Sequence, residues 1–515
     1  MTTQHHQQLP DNTPIIIGAG QTVERLHEQS TPPFSSPMQL AAAACQAALK
    51  DAGVPAREVD TLAVIRLFSD TVKVWDSPFG GSNNPPESVA RRIGATPVHR
   101  IYSNAGGTEP LHLMVELLAA IARGEKQLAL LTGAEAIASQ RFAVRNGFED
   151  DWREEFDVPF DNREYRQRFV SPDEIRGGLS MPVRSYALIE NIQAHQMGHN
   201  LQQHRQYMAT LLAPCSAVAA ANCYSQWPHS WSVRELAEPT ATNYPISLPY
   251  SKLLVAQDAV NQSSALLLTS VGHARRLGVD PRQWIFLEAY AEGADQFLSQ
   301  REDPGRSAAM ERVLTATMEM AGAGSVDMDL IDIYSCFPCA VHAACEIVGL
   351  PTDGSRVLTV TGGLPFFGGP GNNYTTHALA EVAVRLRGAQ AHALVTANGG
   401  ILSKHAAAVL TTEPARAANI DWRESEALTV DCADLPVRSI IEDPEGGDII
   451  SYTLVSRRGK PDIGIVLAGT PAGERFLASS TQPAVTAAMQ DNSPIGRGID
   501  VRQEEGRQVF SFRVE

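Results

Sequence analysis

Cysteine is scarce in this chain of 515 residues, which has only seven, odd in number and irregularly spaced. Disulfide frameworks and structural zinc sites need paired, regularly spaced cysteines. We therefore expect reduced thiols and no metal site, as in a cytoplasmic protein. The cysteines are Cys45, Cys215, Cys223, Cys336, Cys339, Cys345 and Cys432.

Long apolar segments are lacking as well. No apolar run reaches the ~18 residues that a membrane-spanning helix needs. Residues 1–8 are polar and have no apolar centre of the kind found in signal peptides. The last four residues, Phe512–Glu515, do not form a peroxisomal address. These features predict a cytoplasmic protein without a membrane span.

Basic residues are outnumbered, since 42 Lys and Arg against 58 Asp and Glu give a formal net charge of −16. Nucleic acids and anionic membrane surfaces are recognised by clustered positive charge, so both are unexpected partners. The composition is 43% hydrophobic and 19% charged, which excludes a disordered chain and permits extensive cores. At roughly 150 residues per domain, the length allows about three units.

A glycine-rich segment near the N-terminus invites a nucleotide-binding interpretation. Residues 14–17 are typical of a buried strand, Gly18–Gly20 of a turn and 38–52 of a helix. The last position of a G-x-G-x-x-G pattern is Val23, and no acidic residue stands about 20 residues on, where the ribose partner is expected. We therefore expect a plain turn, and a nicotinamide-dependent redox enzyme is disfavoured.

One arrangement of helix, glycine and strand occurs twice. An apolar helical face ends at Gly124, and the apolar strand after it leads to Thr132 and a glycine turn. The same order recurs at Gly388 and Thr396, again with eight residues between glycine and threonine. The order is common in α/β proteins, so coincidence remains an alternative. A true repeat predicts parallel sheets covered by helices on both faces.

Two other segments depart from this pattern. Residues 140–245 are charged, aromatic and rich in His and Gln, which predicts a partly helical insertion over the core. From about residue 417 short alternating strands follow, with one helix at 483–489 after the third. This order predicts a separate five-stranded barrel of the OB type. Because acidic residues outnumber basic ones there, we expect it to dock on the core or recruit a protein, and not to bind nucleic acid.

Taken together, these landmarks resemble the thiolase superfamily, most closely its sterol-carrier-protein-like branch and the thiolase-like proteins with an additional C-terminal domain. Residues 132–135 are similar to the family's first glycine turn, 332–337 to its H-D-C-F segment and 361–370 to its G-H-P segment. Residues 398–400 stand at its C-x-G turn, and 261–268 resemble the strand that closes its first half.

The resemblance implies an α/β thiolase fold, in which two similar βαβαβαββ halves form five layers, with a small OB-like C-terminal β-barrel. The implied domains are 13–280 with the inserted region, 281–416, and 417–515. It also implies acyl-CoA or CoA as a substrate, no permanently bound cofactor and no metal. An acyl-carrier or other protein is a candidate partner, and the chain is expected to be a homodimer or a monomer.

This chain lacks three groups of the family's acyl-transfer machinery. No cysteine stands in 103–110, where the family has its nucleophile. The G-H-P histidine falls on Gly369, and the second cysteine falls on about Ala397. Ser103 and Thr108 are the hydroxyl groups nearest the lost nucleophile, and no base for either is evident. The chemistry is therefore expected to be altered.

Four side chains remain as catalytic candidates. Cys336 stands where a loop enters a helix, a place that lowers a thiol pKa, so we expect it to be more reactive than Cys45 or Cys432. His405 follows the second glycine turn, and its ordinary pKa suits proton transfer near neutrality. Tyr334 takes the place of a family histidine, and Asn398 stands at the C-x-G turn. For each of them, a packing role is the alternative, and a Cys336–Cys339 redox pair is disfavoured.

Glycine turns before two helices supply the candidate binding groups. Unobstructed N–H groups at a positive helix end suit a thioester oxygen or an anion, although glycine turns also serve simply to reverse the chain. The candidates are Gly106, Gly107, Gly368, Gly369, Gly399 and Gly400.

The function implied is that of an acetyl-CoA acetyltransferase-like protein of lipid metabolism, which performs acyl transfer by Claisen or thiolytic chemistry at an altered site. The alternative is a non-catalytic protein that binds acyl-CoA or a partner and retains the fold.

Overall fold

The structure is a computed structural model that describes residues 9–71, 73–163, 168–416, 420–422, 429–457 and 459–513. Residues 1–8 and the last two residues lie outside these ranges. The expectations about a signal peptide and a peroxisomal signal therefore concern residues that are wholly or partly undescribed. Within them, no helix is long and apolar enough to cross a membrane. The same part of the chain contains no group of three or more His, Cys, Asp or Glu side chains that could hold a metal ion.

The described residues form helices and strands along the whole chain. The strands are β1 (Pro14–Val23), β2 (Thr61–Val64), β3 (His99–Tyr102), β4 (Leu128–Ala136), β5 (Asp161–Asn162), β6 (Pro245–Ser247), β7 (Tyr250–Ser251), β8 (Asn261–Ser270), β9 (Phe286–Ala294), β10 (Leu330–Asp332), β11 (His392–Gly399), β12 (Lys404–Thr411), β13 (Gly446–Val455), β14 (Ile463–Gly469), β15 (Arg475–Ser480), β16 (Gly498–Glu504) and β17 (Arg507–Phe512). The α-helices are α1 (Pro37–Ala52), α2 (Pro85–Ile93), α3 (Glu109–Ala122), α4 (Ile137–Asn146), α5 (Pro172–Arg176), α6 (Pro182–Gln196), α7 (Leu201–Ala221), α8 (Val233–Ala237), α9 (Val271–Leu277), α10 (Ala308–Ala321), α11 (Pro338–Val348), α12 (Tyr374–Leu386) and α13 (Pro483–Asp491).

The predicted repeat is present, but the two sheets that carry it are mixed and not wholly parallel as expected. The first has the order β1-β8-β4-β2-β3-β5, in which β8 is antiparallel to its neighbours and the remaining pairs are parallel. The second has the order β9-β12-β11-β10, in which β12 is antiparallel to its neighbours and β11 is parallel to β10. Thr132 on β4 and Thr396 on β11 hold equivalent places, so the repeat is structural.

Helices α3 and α12 lie between the two sheets and contact each other. Helix α1 covers the outer face of the first sheet, and α10 covers that of the second. The sheets meet where Ile16 and Ile285 exchange backbone hydrogen bonds of 2.9 and 3.0 Å. This order of five layers confirms the predicted α/β thiolase fold. In place of a counterpart to β3, the second half has residues 349–373, where the carbonyl of Leu358 accepts a 2.9 Å hydrogen bond from Ile333 N.

The predicted turn at Gly18–Gly20 is wrong, because β1 continues through both glycines and pairs with β8 as far as Val23. The glycines are needed for a close approach of α1. A Cβ atom at Gly18 would lie 2.6 Å from the carbonyl oxygen of Ala48. One at Gly20 would overlap the carbonyl oxygen of Ala44 and lie 2.5 Å from Ala48 N.

The C-terminal strands form the predicted closed five-stranded barrel, with α13 between its third and fourth strands. The strand order is β13-β14-β15-β17-β16, and β16 returns to pair with β13. The assignment to the OB type and the domain boundaries remain predictions. In the described residues the barrel strands begin at Gly446, later than the predicted boundary of 417.

The inserted region joins the barrel to the core. Strand β6 pairs with β13 through Ser247 and Val455, and α6 packs across β13. The buried Asn191 side chain donates hydrogen bonds of 2.9 and 2.8 Å to the carbonyl oxygens of Leu248 and Tyr452. One side of helix α6 therefore contacts the barrel.

Replacing Gly20 with alanine is expected to lower the free energy of unfolding by about 1–3 kcal/mol, because the new methyl group overlaps helix backbone that cannot move freely. Gly81→Ala is the matched control, since nothing lies within 4 Å of a Cβ atom at that exposed position. The urea midpoint measures both. Equal midpoints for the two variants would show that the close approach of α1 to β1 is not a constraint.

Replacing Asn191 with alanine is expected to cost about 1–3 kcal/mol of stability, because two buried hydrogen bonds are lost. The control is Asn146→Ala on α4, whose side chain makes one exposed 2.8 Å hydrogen bond to Phe142 O; such surface changes fall within about 0.5 kcal/mol. Thermal unfolding followed by circular dichroism gives the comparison. An unchanged melting temperature in Asn191→Ala would contradict a stabilising contact between α6 and the barrel.

Candidate functional site

Residues from both halves meet at Gly107, directly before α3. A Cβ atom at Gly107 would lie 2.5 Å from the Tyr334 hydroxyl oxygen and would overlap the carbonyl oxygen of Asn398. Tyr334 follows β10, and Asn398 lies near the end of β11. Because only a glycine fits here, the backbone before α3 can touch the strand ends of the second half. Three of the predicted site residues are thereby brought together.

Cys336 is also part of this cluster, and its thiol is 3.4 Å from Asn398 Nδ2. The expected lowering of its pKa is wrong. Burial raises the pKa of the Cys336 thiol from 9.0 to about 11, although the hydrogen bond from Asn398 acts in the opposite direction. Helix α11 begins only at Pro338. The loss of hydration therefore outweighs any effect of the helix end, and the thiol is neutral at physiological pH.

Tyr186 of α6 completes the cluster and was not identified from the sequence. Its hydroxyl accepts hydrogen bonds of 3.0 Å from Asn398 Nδ2 and from Leu402 N, and it donates one of 3.2 Å to the carbonyl oxygen of Gly400. Its ring stacks on Phe337 with 4.2 Å between centroids. The tyrosine comes from the insertion, and no pattern in that segment indicated which residue would face the core.

His405 lies opposite Asn398 on the paired strands β11 and β12. Its Nε2 atom is 3.0 Å from the carbonyl oxygen of Leu402 and 2.9 Å from Ser307 Oγ, which is in turn 2.7 Å from Asp295 Oδ2. The expectation of a pKa near neutrality is wrong, because burial lowers the pKa of His405 to about 4. The imidazole is therefore neutral, and it is a weak base.

Tyr334 is packed into the second half, and its hydroxyl faces Gly107. Its ring packs edge-on against Tyr374 with centroids 5.3 Å apart, and its backbone N–H donates a 2.8 Å hydrogen bond to Thr396 Oγ1. Burial raises the pKa of its hydroxyl well above the ordinary value. The hydroxyl thus stays protonated at Gly107 and can act as a hydrogen-bond donor.

Five of the six candidate glycines separate into two groups, and the sixth, Gly106, is hydrogen-bonded to Asn372. Gly107, Gly399 and Gly400 adjoin the cluster: a Cβ atom at Gly399 would lie 3.4 Å from Gly107 N. Gly368 and Gly369 pack instead on the irregular segment before β8 and on its first residues, where Gly369 N donates a 2.8 Å hydrogen bond to Gln257 O.

Two asparagines before α12 hydrogen-bond to the first half, and one of them takes up a backbone N–H that was expected to face a ligand. Gly106 N donates a 3.0 Å hydrogen bond to Asn372 Oδ1, so this N–H is already satisfied inside the protein. Asn373 donates a 2.7 Å hydrogen bond to Gly133 O across the halves. Ser103, one of the candidate hydroxyls, is fully buried and within 2.6 Å of Asn104 O, and the structure supplies no evident base for it.

Sequence and structure comparisons relate the chain to thiolase-like proteins. Residues 428–506 match the family described as the thiolase-like protein type 1 additional C-terminal domain. The crystal structure of a monomeric SCP2-thiolase-like protein type 1 from Mycobacterium smegmatis is 35% identical, with a TM-score of 0.81. The match covers 98% of this chain and 100% of that chain. The sequence has no significant match among curated proteins.

Two more distant structures share the fold. The Ltp2-ChsH2(DUF35) aldolase is 16% identical with a TM-score of 0.56, over 78% of this chain and 98% of that chain. Acetyl-CoA acetyltransferase from Syntrophomonas wolfei is 15% identical with a TM-score of 0.56, over 78% of this chain and 100% of that chain. At these identities the likeness establishes the fold alone.

The buried thiol leads to a prediction about cysteine reactivity. With the pKa raised from 9.0 to about 11, the thiolate fraction of Cys336 at pH 8 falls roughly 100-fold. Limited iodoacetamide labelling with mass-spectrometric mapping should modify the exposed Cys223 first and Cys336 much more slowly. The buried Cys45 serves as the matched resistant thiol. Labelling of Cys336 as fast as that of Cys223 would show an accessible, activated thiol.

Proposed function

Since the chain belongs to the family of SCP2-thiolase-like proteins of type 1, we propose that it binds an acyl thioester of coenzyme A where its halves meet. There it carries out altered acyl-transfer chemistry of the Claisen or thiolytic type, as part of lipid metabolism. The observation that carries the proposal is the convergence of Gly107, Tyr334, Cys336 and Asn398 from both halves.

Each group in this cluster has a role that suits a thioester. The donors at the junction of the halves are the Tyr334 hydroxyl and the second Asn398 N–H, which faces Cys336 Sγ at 3.4 Å while the first is held by Tyr186. Such donors stabilise a thioester oxygen as negative charge develops on it. Cys336 is the thiol nearest to them and is the proposed acyl acceptor. Because this thiol is neutral and His405 is a weak base, the chemistry is expected to be slow.

A non-catalytic acyl-CoA-binding protein is the second candidate. It is favoured by the raised pKa of Cys336 and by the hydrogen bond from Gly106 N to Asn372 Oδ1, which takes up a donor that would otherwise face a ligand. Thioester binding is common to both candidates, and turnover separates them.

The barrel is proposed to act within the chain and to leave it a monomer, as the relative from Mycobacterium smegmatis is. The support is its contact with α6, the helix that carries Tyr186 into the site. An acyl-carrier or other protein partner remains a proposal for its outer surface. The aldolase that shares the fold contains a DUF35 component.

The experiment compares binding with turnover in the purified protein. Acetyl-CoA binding is measured by isothermal titration calorimetry, and cleavage of acetoacetyl-CoA by free CoA is measured from the loss of its absorbance. Cys336→Ala is expected to retain binding and to lose turnover about 10²-fold or more. Cys223→Ala is the control, since that exposed thiol lies outside the cluster.

Each outcome decides between the candidates. Binding with slow turnover that Cys336→Ala abolishes supports the acyltransferase. Binding without turnover in the unmodified protein supports the non-catalytic candidate. The absence of acetyl-CoA binding would contradict both, and turnover unchanged in Cys336→Ala would remove Cys336 as the acyl acceptor.

A further inference from the structure

Asn398 and His405 line a small internal cavity behind the thiol cluster. They are directly opposite each other on β11 and β12, so their side chains lie on the same face of the sheet. The cavity has a volume of about 10 Å³, which is room for a single water molecule. Tyr334 and Thr396 also border it, and its apolar wall comes from Met310, Val313, Leu314, Ile333, Ala340 and Ala344.

The hydrogen bonds around His405 fix which ring nitrogen carries the proton. The carbonyl oxygen of Leu402 only accepts, so His405 Nε2, 3.0 Å away, must donate to it. Ser307 Oγ gives its single proton to Asp295 Oδ2 and cannot also donate to the ring. The neutral imidazole therefore carries its proton on Nε2. Its Nδ1 is an acceptor, and no donor in the described part of the chain reaches it.

Asn398 presents a second acceptor of the same kind. Its Nδ2 faces Tyr186 Oη at 3.0 Å and Cys336 Sγ at 3.4 Å. The Tyr186 hydroxyl donates its proton to Gly400 O, so it can only accept from Asn398. The amide oxygen Oδ1 is thereby left without a donor among the described residues. Asn398 is only 4% exposed and His405 only 3%.

Two buried acceptors without donors are costly, and the groups that usually satisfy such atoms are ordered waters. A water molecule offers two O–H donors and fits the volume. A cation would need more ligands than two neutral acceptors provide.

We propose that His405 Nδ1 and Asn398 Oδ1 together bind one water molecule. This water is also the group through which His405 exchanges protons with the thioester site. The water takes a proton from the α-carbon of a thioester and gives one of its own protons to His405 Nδ1. The water is thereby regenerated, and the electron pair of the broken C–H bond stays on the enolate. This second role rests on the proposed function, whereas water binding does not.

A crystal structure of the unliganded protein at about 1.5 Å resolution tests the binding site. The expected result is one ordered water about 2.8 Å from both His405 Nδ1 and Asn398 Oδ1. In His405→Phe the water should be lost. Met310→Leu is the matched control, because it changes the apolar wall at nearly constant volume and leaves both acceptors in place, so the water should remain.

Nitrogen-15 NMR of the histidine side chains gives a second measurement that needs no variant. The expected result is a neutral His405 ring at pH 7 with a proton on Nε2 and a hydrogen-bonded, unprotonated Nδ1. A dry cavity would overturn the proposal. So would a direct hydrogen bond to Nδ1 from Tyr334 or from a reversed Asn398 amide, or a proton on Nδ1. Because the protein is unliganded, failure to bind acetyl-CoA would leave this result unaffected.

The role of His405 in proton transfer is tested by measuring how fast the α-protons of acetyl-CoA exchange with deuterium oxide. We expect His405→Phe to slow this exchange at least tenfold while acetyl-CoA affinity stays within about twofold. Exchange that is unchanged in His405→Phe would remove the proton role and leave the water site standing.

Discussion

The meeting of the two halves at Gly107 is the contact on which the candidate site depends. The backbone before α3 touches the hydroxyl of Tyr334 and the carbonyl of Asn398 because no side chain stands between them. Thr375 Oγ1 of α12 reinforces this junction with a 3.0 Å hydrogen bond to Gly107 O. This close approach fixes where the backbone before α3 lies relative to Tyr334 and Asn398.

Burial then determines the chemistry of the groups that the contact brings together. It raises the pKa of Cys336 to about 11 and lowers that of His405 to about 4, so both are neutral at physiological pH. A neutral thiol and a weak base are opposite to the activated pair that acyl transfer normally uses. The site keeps the hydrogen-bond donors that would hold a thioester oxygen, but it has neither a thiolate nor a strong base to drive acyl transfer. For this reason the two candidate functions are slow acyl transfer and binding of acyl-CoA without turnover.

The fold could be predicted from the sequence because its signals are local. The spacing between Gly124 and Thr132 recurs between Gly388 and Thr396, and the apolar strands and the short C-terminal strands are continuous in the chain. The mistake at Gly18–Gly20 has a physical reason, since a glycine that lets a helix approach looks the same in sequence as a glycine in a turn. Asn398, Tyr334 and Cys336 were found together through the resemblance.

The remaining features depend on contacts between distant segments. Tyr186 lies in the insertion, 212 residues from Asn398 in the chain, and nothing local marks the face of α6 that turns toward the core. The hydration lost by Cys336 and His405 depends on what covers them, so their pKa values could not be read from a helix start or a strand end. The bond from Gly106 to Asn372 likewise joins residues that are 266 apart.

A crystal structure with a thioether analogue of acetyl-CoA shows where a thioester is held, because the analogue binds and cannot react. We expect its carbonyl oxygen within hydrogen-bonding distance of Tyr334 Oη or Asn398 Nδ2, with the acyl carbon beside Cys336 Sγ. An analogue bound elsewhere on the protein, away from the junction of the halves, would contradict the proposed thioester site.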